Sequence, residues 1–300
     1  MTDEPLPIIH PPFSALRGRE PLTAVGRSGE LHLDYARQGP KTVITKTRCT
    51  SPWHFVPPIY LDESGSAYTL FVNPSGGLVG GDRLAVRMAL GAESHVLVSA
   101  PSANRVYRSV SETSAQIVDI TVGPRAILEW LPEPTIPFAG SRFRQEIGVK
   151  LEPGATLLLW DAIAAGRIAR GERWKFTTLE NEIKITLSTG NRVVERYALA
   201  PEGEWAGAGL ARVWNYVASF YMVGDQVPDD NWKRVEAEIN RLLDAESESI
   251  LAGVSQPAVP GLVVKVLAKR APDLVRALDG LWTVVRRELW NLPAPDLRKY

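Results

Sequence analysis

The chain has 300 residues, 45% of them apolar and 23% charged, the balance of an ordinary globular core under a polar surface. Lys+Arg and Asp+Glu both count 34, so the formal net charge is zero, which argues against a polyanion binder working through bulk positive charge. The single cysteine, Cys49, excludes an intrachain disulfide and any cysteine-only metal cluster within one chain, and it fits a reducing compartment.

Residues 1–13 are acidic and then proline-rich. A secretory signal needs a basic start and an apolar run of ~7–15 residues, and neither is present. No stretch approaches the ~20 apolar residues of a membrane helix. The longest candidate, residues 155–166, is broken by Asp161. These features predict a soluble cytoplasmic protein with no membrane or nucleic-acid partner and a loose segment over residues 1–20.

From about residue 26 to about residue 221 the hydrophobic period is mostly two. Glu30-Leu-His-Leu-Asp-Tyr35 alternates polar and apolar residues, as do Glu182-Ile-Lys-Ile-Thr-Leu187 and, with one slip, Gln116 to Val122. Turn signals separate such runs: Gly39-Pro40, Asn73-Pro74, Gly91, Gly123-Pro124, Pro153-Gly154 and Thr189-Gly190. Short strands between Gly/Pro turns predict an all-β layered or barrel-like body. No fixed-period repeat is visible, which speaks against a propeller or simple solenoid.

The last quarter changes character. Asp229 and Asp230 can cap a helix running to about 246, whose Trp232, Val235, Ile239, Leu242 and Leu243 share one face. A strand-like run follows at 261–267. Pro272-Asp273 then opens a second helix, to about 291, with Leu274, Leu278, Leu281, Trp282, Val285 and Leu289 in phase. Both helices should lie against the sheet. Arg286 and Arg287 fall on the polar side of the second and offer a partner surface. The expectation is one domain over 1–300, mainly β, with a small C-terminal helical annex.

Several stretches could carry chemistry. Asn73-Pro-Ser-Gly-Gly-Leu-Val-Gly-Gly-Asp82 has the glycines of a phosphate loop but no lysine, and a strand-like run rather than a helix follows it. A tight crossover between strands is the better reading, with Asp82 poorly shielded at its end. Ser99 to Ser109 is a polar loop with Arg105, Tyr107 and Arg108, and nothing nearby activates Ser102 as a nucleophile. Glu129 and Glu133 could suggest a glycosidase pair, but a strand and a turn do not fix their separation. Asp161 sits in an apolar run and should be desolvated unless paired; Arg167 is the natural partner, and Glu172 follows with the same glycine-and-charge arrangement. That group is either a structural ion pair or part of a polar interior path. His10, His32, His54 and His95 include no pair within five residues, so a tight metal site is not expected.

The blocks at 73–82, Ala100 to Ser109, Leu128 to Glu133, Gly166 to Glu172 and Val194-Glu-Arg196 occur in the order seen in the urease accessory protein UreD (UreH) family, which the chain resembles from about Gly26 to its C-terminus. The resemblance implies a mostly β fold of stacked sheets in a helical, β-helix-like arrangement with a few helices. It implies no enzymatic activity. Partners would be UreF, through it the GTPase UreG, and apo-urease. The role would be nickel delivery through an internal polar tunnel, with Ni²⁺ as a transient passenger and no tightly bound cofactor. The family's tunnel-linked charged positions match Asp82, Asp161, Arg167, Glu172 and Glu195; Asn104, Arg105, Tyr107 and Arg108 would lie on a loop near the path or a partner. There are departures: Arg83 replaces a frequent acid, Arg105 replaces the usual lysine, and the C-terminus is Asp296-Leu-Arg-Lys-Tyr300. The alternatives are a β-rich protein- or sugar-binding module using some of the nine tryptophans, although Trp160 and Trp282 read as core, and a hydrolase using Asp/Glu pairs.

Overall fold

A computed structural model describes residues 28–201 and 213–297. The expected loose segment at 1–20 lies outside the described residues. The first strands are β1 (Ser28–Gln38), β2 (Lys41–Cys49), β3 (His54–Ile59), β4 (Ala67–Val72), β5 (Arg83–Leu90) and β6 (His95–Ser99). Next come β7 (Asn104–Val106), β8 (Ser114–Val122), β9 (Ile127–Leu131), β10 (Thr135–Pro137), β11 (Arg142–Leu151) and β12 (Thr156–Ala164). A short 3₁₀ turn at Ile168–Arg170 precedes β13 (Thr178–Thr186), β14 (Arg192–Leu199) and β15 (Tyr216–Gly224). The chain ends with α1 (Asp229–Ala245), β16 (Ile250–Ser255), β17 (Gly261–Ala268) and α2 (Ala271–Trp290).

The chain winds between two sheets. β4, β6, β9 and β12 stack in parallel in one; β5, β8, β11 and β13 stack in parallel in the other, beside β1. Each coil adds a strand to both sheets, which makes a β-solenoid-like stack. Antiparallel strands flank it: β2, β3, β14 and the run β15-β17-β16. The stack is solenoid-like despite the lack of a sequence repeat. Successive strands begin at Arg83, Ser114, Arg142 and Thr178, so the coils differ in length and leave no repeat in the sequence.

The two edges of the stack differ. Connections from the seven-stranded sheet back to the ten-stranded one are tight turns at 91–94, 123–126 and 152–155. The opposite connections, at 73–82, 100–113, 132–141 and 165–177, are long and stack on one another. β10 pairs with β7, Leu78 with Val106, and Thr135 with Ile163.

Burial explains the strand patterns. Every residue of β12 is buried, because one face meets the inter-sheet core and the other meets the helices. β11 alternates, because among the described residues no helix packs over the outer face of the seven-stranded sheet. Trp160 and Trp282 are core residues of the layer between the ten-stranded sheet and the helices, as the sequence suggested. α1 places Asp229 and Asp230 in its first turn, where they face the helix dipole, but Pro228 occupies the cap position. Among the described residues no helix is long and apolar enough to cross a membrane.

Arg286 is not on the polar side of α2. It is fully buried, donating from Nη1 to Glu129 Oε1 at 2.5 Å, from Nη2 to Asp62, and from Nε to the Pro293 carbonyl at 2.8 Å. Glu129 reaches α2 through the helix-facing side of β9 and also takes the Trp282 indole N–H at 2.5 Å and His95 Nε2 at 2.6 Å. Burial pushes this carboxyl up, but His95, Arg286 and Trp282 outweigh that and hold it below the usual carboxylate range. The cluster ties the helix to the sheet. Arg286→Ala strands a buried carboxylate and is expected to lower stability in urea unfolding by about 3–5 kcal/mol. Arg287→Ala, at a half-exposed side chain, is expected to change it by less than about 0.5 kcal/mol.

Candidate functional site

One level of the stack is polar. Parallel register places Gln116 of β8, Gln145 of β11 and Asn181 of β13 side by side, and antiparallel pairing adds Tyr197 of β14. All four share the inward phase of Val118, Ile147 and Ile183. Facing them on the other sheet, Asp161 of β12, Ser219 of β15 and Lys265 of β17 form a second rung.

Asp161 is held by amides. Gln145 Nε2 donates to its Oδ1 at 2.9 Å, and Asn181 Nδ2 donates to its Oδ2 at 2.9 Å. Gln145 and Asn181 are also bonded to each other at 3.0 Å, and Asn181 donates to the Tyr197 hydroxyl at 3.0 Å. Burial pushes the Asp161 carboxyl above the usual carboxylate range, against the opposing pull of Gln145, Asn181 and the Lys265 charge.

The predicted pairing of Asp161 with Arg167 is not present. Arg167 instead clamps Glu172, donating from Nε at 2.7 Å and from Nη2, and its guanidinium lies 4.2 Å from the centre of the Phe138 ring. Asp161 faces the core from mid-strand, whereas β12 has ended before Gly166. The 3₁₀ turn then brings Glu172 back to Arg167. Glu172 also accepts the Ala139 N–H at 3.3 Å, fastening one long crossover to the next.

A recess of about 50 Å³ runs in from the long-crossover edge, with room for a few water molecules. Asp161, Gln145, Gln116, Asn104, Arg105 and Glu133 are among its lining residues. Trp53 and Trp130 also line it, and their buried indole N–H groups have no partner among the described residues. Such buried donors call for an acceptor. Arg105 and Ser102 are exposed at the mouth. The glycine-rich crossover closes over this loop: a Cβ on Gly77, whose φ is +154°, would lie 2.4 Å from the Arg105 carbonyl oxygen. The tight-crossover reading of 73–82 therefore holds, and β5 follows it.

The other predicted residues are dispersed. Asp82 is 4% exposed and does not line the recess; its Oδ2 accepts the Val79 N–H at 2.9 Å and closes the turn. Tyr107 packs edge-on against Phe138 at 5.0 Å, beside Arg167, and Arg108 lies against Gly140. Glu195 sits at the far end of the polar level on β14, accepting the Ser219 hydroxyl at 3.1 Å, the Tyr221 hydroxyl and the Lys265 ammonium. Glu129 faces the helices while Glu133 lines the recess, so they form no hydrolase pair. Among the described residues no group of three or more His, Cys, Asp or Glu is placed to hold a metal ion.

Sequence reasoning missed Gln116, Gln145, Asn181 and Lys265. A signal existed: each amide sits two positions before a β-branched residue of the buried phase, at Val118, Ile147 and Ile183. An amide in the apolar phase of three strands marks a polar layer once the strands are aligned.

The raised Asp161 carboxyl sets the sign of a stability prediction. The folded state holds this proton more tightly than the unfolded chain, so the stability penalty is absent in acid and grows as pH rises through the folded-state value. Asp161→Asn removes the charge but replaces one of the two acceptor oxygens with an amide donor, at the cost of one of the two hydrogen bonds. Its melting temperature relative to the parent's is expected to be higher at pH 7 than at pH 4, because only the parent carries the charge that pH 7 imposes. Asp161→Ala strands two buried donors and is expected to cost about 1–3 kcal/mol at pH 7.

The chain's relatives share its length. The family model described as UreD urease accessory protein matches residues 27–299. The urease accessory protein UreD of Haloarcula marismortui is 31% identical over 301 residues, covering 97% of this chain and 98% of its own. Urease accessory protein UreD 2 of Streptomyces griseus is 30% identical, covering 90% and 93%, and UreD of Dechloromonas aromatica is 29% identical, covering 88% and 91%. A family match across nearly all of the described fold, long crossovers included, places the chain in the UreD family of urease accessory proteins.

Proposed function

We propose that this chain is a cytoplasmic urease maturation scaffold that binds UreF, through it UreG, and apo-urease, and assists nickel delivery along the polar level inside its β-stack. Nickel is cargo here, not a resident cofactor. The observation that carries the reading is Asp161: a buried carboxylate at a recess that reaches the surface, satisfied by two amides in place of a contacting cation.

The donor set suits transit. Ni²⁺ is held firmly by imidazole and thiolate, and the polar level contains neither. Isolated carboxylates and amides bind it weakly. A buried negative charge still lowers the cost of bringing a hydrated dication into protein. Gln116, Gln145 and Asn181 can exchange hydrogen bonds with a passing hydration shell. Asp161 and Glu195 are the charged stations. Asn104 and Arg105 stand at the mouth. Asp82, the Arg167–Glu172 clamp, Tyr107 and Arg108 hold the surrounding crossovers in shape. None of these groups is a nucleophile beside a base, so the reading assigns no bond-breaking step.

The test is co-expression of urease with UreF, UreG and either this chain or none, followed by elemental analysis of purified urease. Nickel content is expected to fall severalfold without the chain, and equal content overturns the reading. Asp161→Asn is expected to retain UreF in a pull-down while lowering nickel content. Full loading by this variant removes Asp161 from the path.

A further inference from the structure

The polar level ends where the two sheets run out. β14 is the last strand of the seven-stranded sheet, and its inward residues are only half buried. β17 lies near the corresponding end of the other sheet. Glu195 and Lys265 meet at this end, and the Lys265 side chain is 49% exposed. Its ammonium also donates to Ser219 Oγ at 2.7 Å, and Ser219 stands directly opposite Asp161 in the strand register. Lys265 therefore holds its one positive charge beside Glu195 and next to the rung of Asp161. Tyr221 and Tyr197 are the other titratable groups at this end, and burial pushes both phenols up, so they remain neutral.

We propose that Lys265 is a stand-in cation: it neutralises the far end of the polar level while no metal is there, and it must swing to solvent when a divalent cation reaches Glu195 and Asp161. The inference rests on the transit reading above and adds to it a built-in competitor that keeps the site weak. Geometry allows the exchange. A lysine has a flexible four-carbon stem and a point charge, and this one is half in solvent already. A monovalent ammonium and a divalent ion cannot both sit at Glu195 without strong mutual repulsion. Displacement returns the ammonium to water and frees Glu195, beside the rung of Asp161, for the metal.

Equilibrium dialysis of Ni²⁺ against the purified chain at pH 7 tests this, with melting temperatures recorded for every variant. Lys265→Met is expected to tighten Ni²⁺ binding by about tenfold, since the competing charge is gone. Lys265→Arg, which keeps the charge, is expected to stay within about threefold of the parent. Asp161→Asn and Glu195→Gln are expected to weaken binding. If those two weaken it while Lys265→Met leaves it unchanged, Lys265 is only a latch between sheet edges; the stand-in is overturned and the transit reading stands. If Lys265→Met shows no saturable Ni²⁺ binding at all, the stand-in is likewise overturned, and the urease-loading experiment judges the transit reading separately. A lowered melting temperature in Lys265→Met with unchanged affinity also counts for the latch.

Discussion

In-register parallel stacking forces residues at one position of successive coils into single file. Gln116, Gln145 and Asn181 line up because β8, β11 and β13 pair without a slip. A shift of one residue in any of these strands would turn its amide to solvent and bring a charged or outward-facing residue into the core. The apolar residues beside the amides prevent that shift: Val118, Ile147 and Ile183 would all be expelled together. Hydrophobic burial thus fixes the register, and the register builds the polar level. The site is a by-product of the same alignment that holds the fold.

Two buried carboxylates in this stack answer burial in opposite ways. Glu129, on the helix side of the ten-stranded sheet, gathers Arg286, His95 and Trp282 and is held below the ordinary carboxylate range. Asp161, on the core side, gathers two amides and is pushed above it. The first arrangement binds helix to sheet and has no spare valence. The second leaves a charge without a contacting cation beside a recess, which is an expensive way to stabilise a protein. That contrast separates an ion cluster that fastens two layers from a buried carboxylate that no cation contacts among the hydrogen bonds and ion pairs of the described residues.

Much of the architecture was legible in the residues. Alternation gave the strands, one-sided apolar faces gave both helices, and four glycines within 73–82 marked a close backbone crossing. The interior carboxylate at 161 was also legible, because an acid in an unbroken apolar run has nowhere else to go. Its partners were not. Arg167 is near in sequence, but β12 ends before it, while Gln145 and Asn181 come from neighbouring coils whose register no local pattern states. Arg286 was misplaced for a related reason. Its helix phase is apolar-adjacent and reads as polar surface until Glu129 is known to emerge from the sheet beneath it. The coil stack itself was hidden by unequal crossovers.

Those crossovers explain why the motifs cluster where they do. The tight turns on one edge need only a glycine and a change of direction, and they carry little chemistry. The opposite edge must span from sheet to sheet over the end of the core, and its loops are long enough to pack on each other through β7, β10 and the Glu172–Ala139 bond. A ligand or partner approaching the recess therefore meets loops that are tied to one another rather than to the core alone. The first two crossovers are joined backbone to backbone, the Leu78 N–H donating to the Arg105 carbonyl at 2.8 Å and the Tyr107 N–H to the Leu78 carbonyl at 2.8 Å. The mouth of the recess lies at this edge, whereas Glu195 and Lys265 stand at the far end of the polar level, so stacked crossovers hold one end of the amide file and strand edges hold the other.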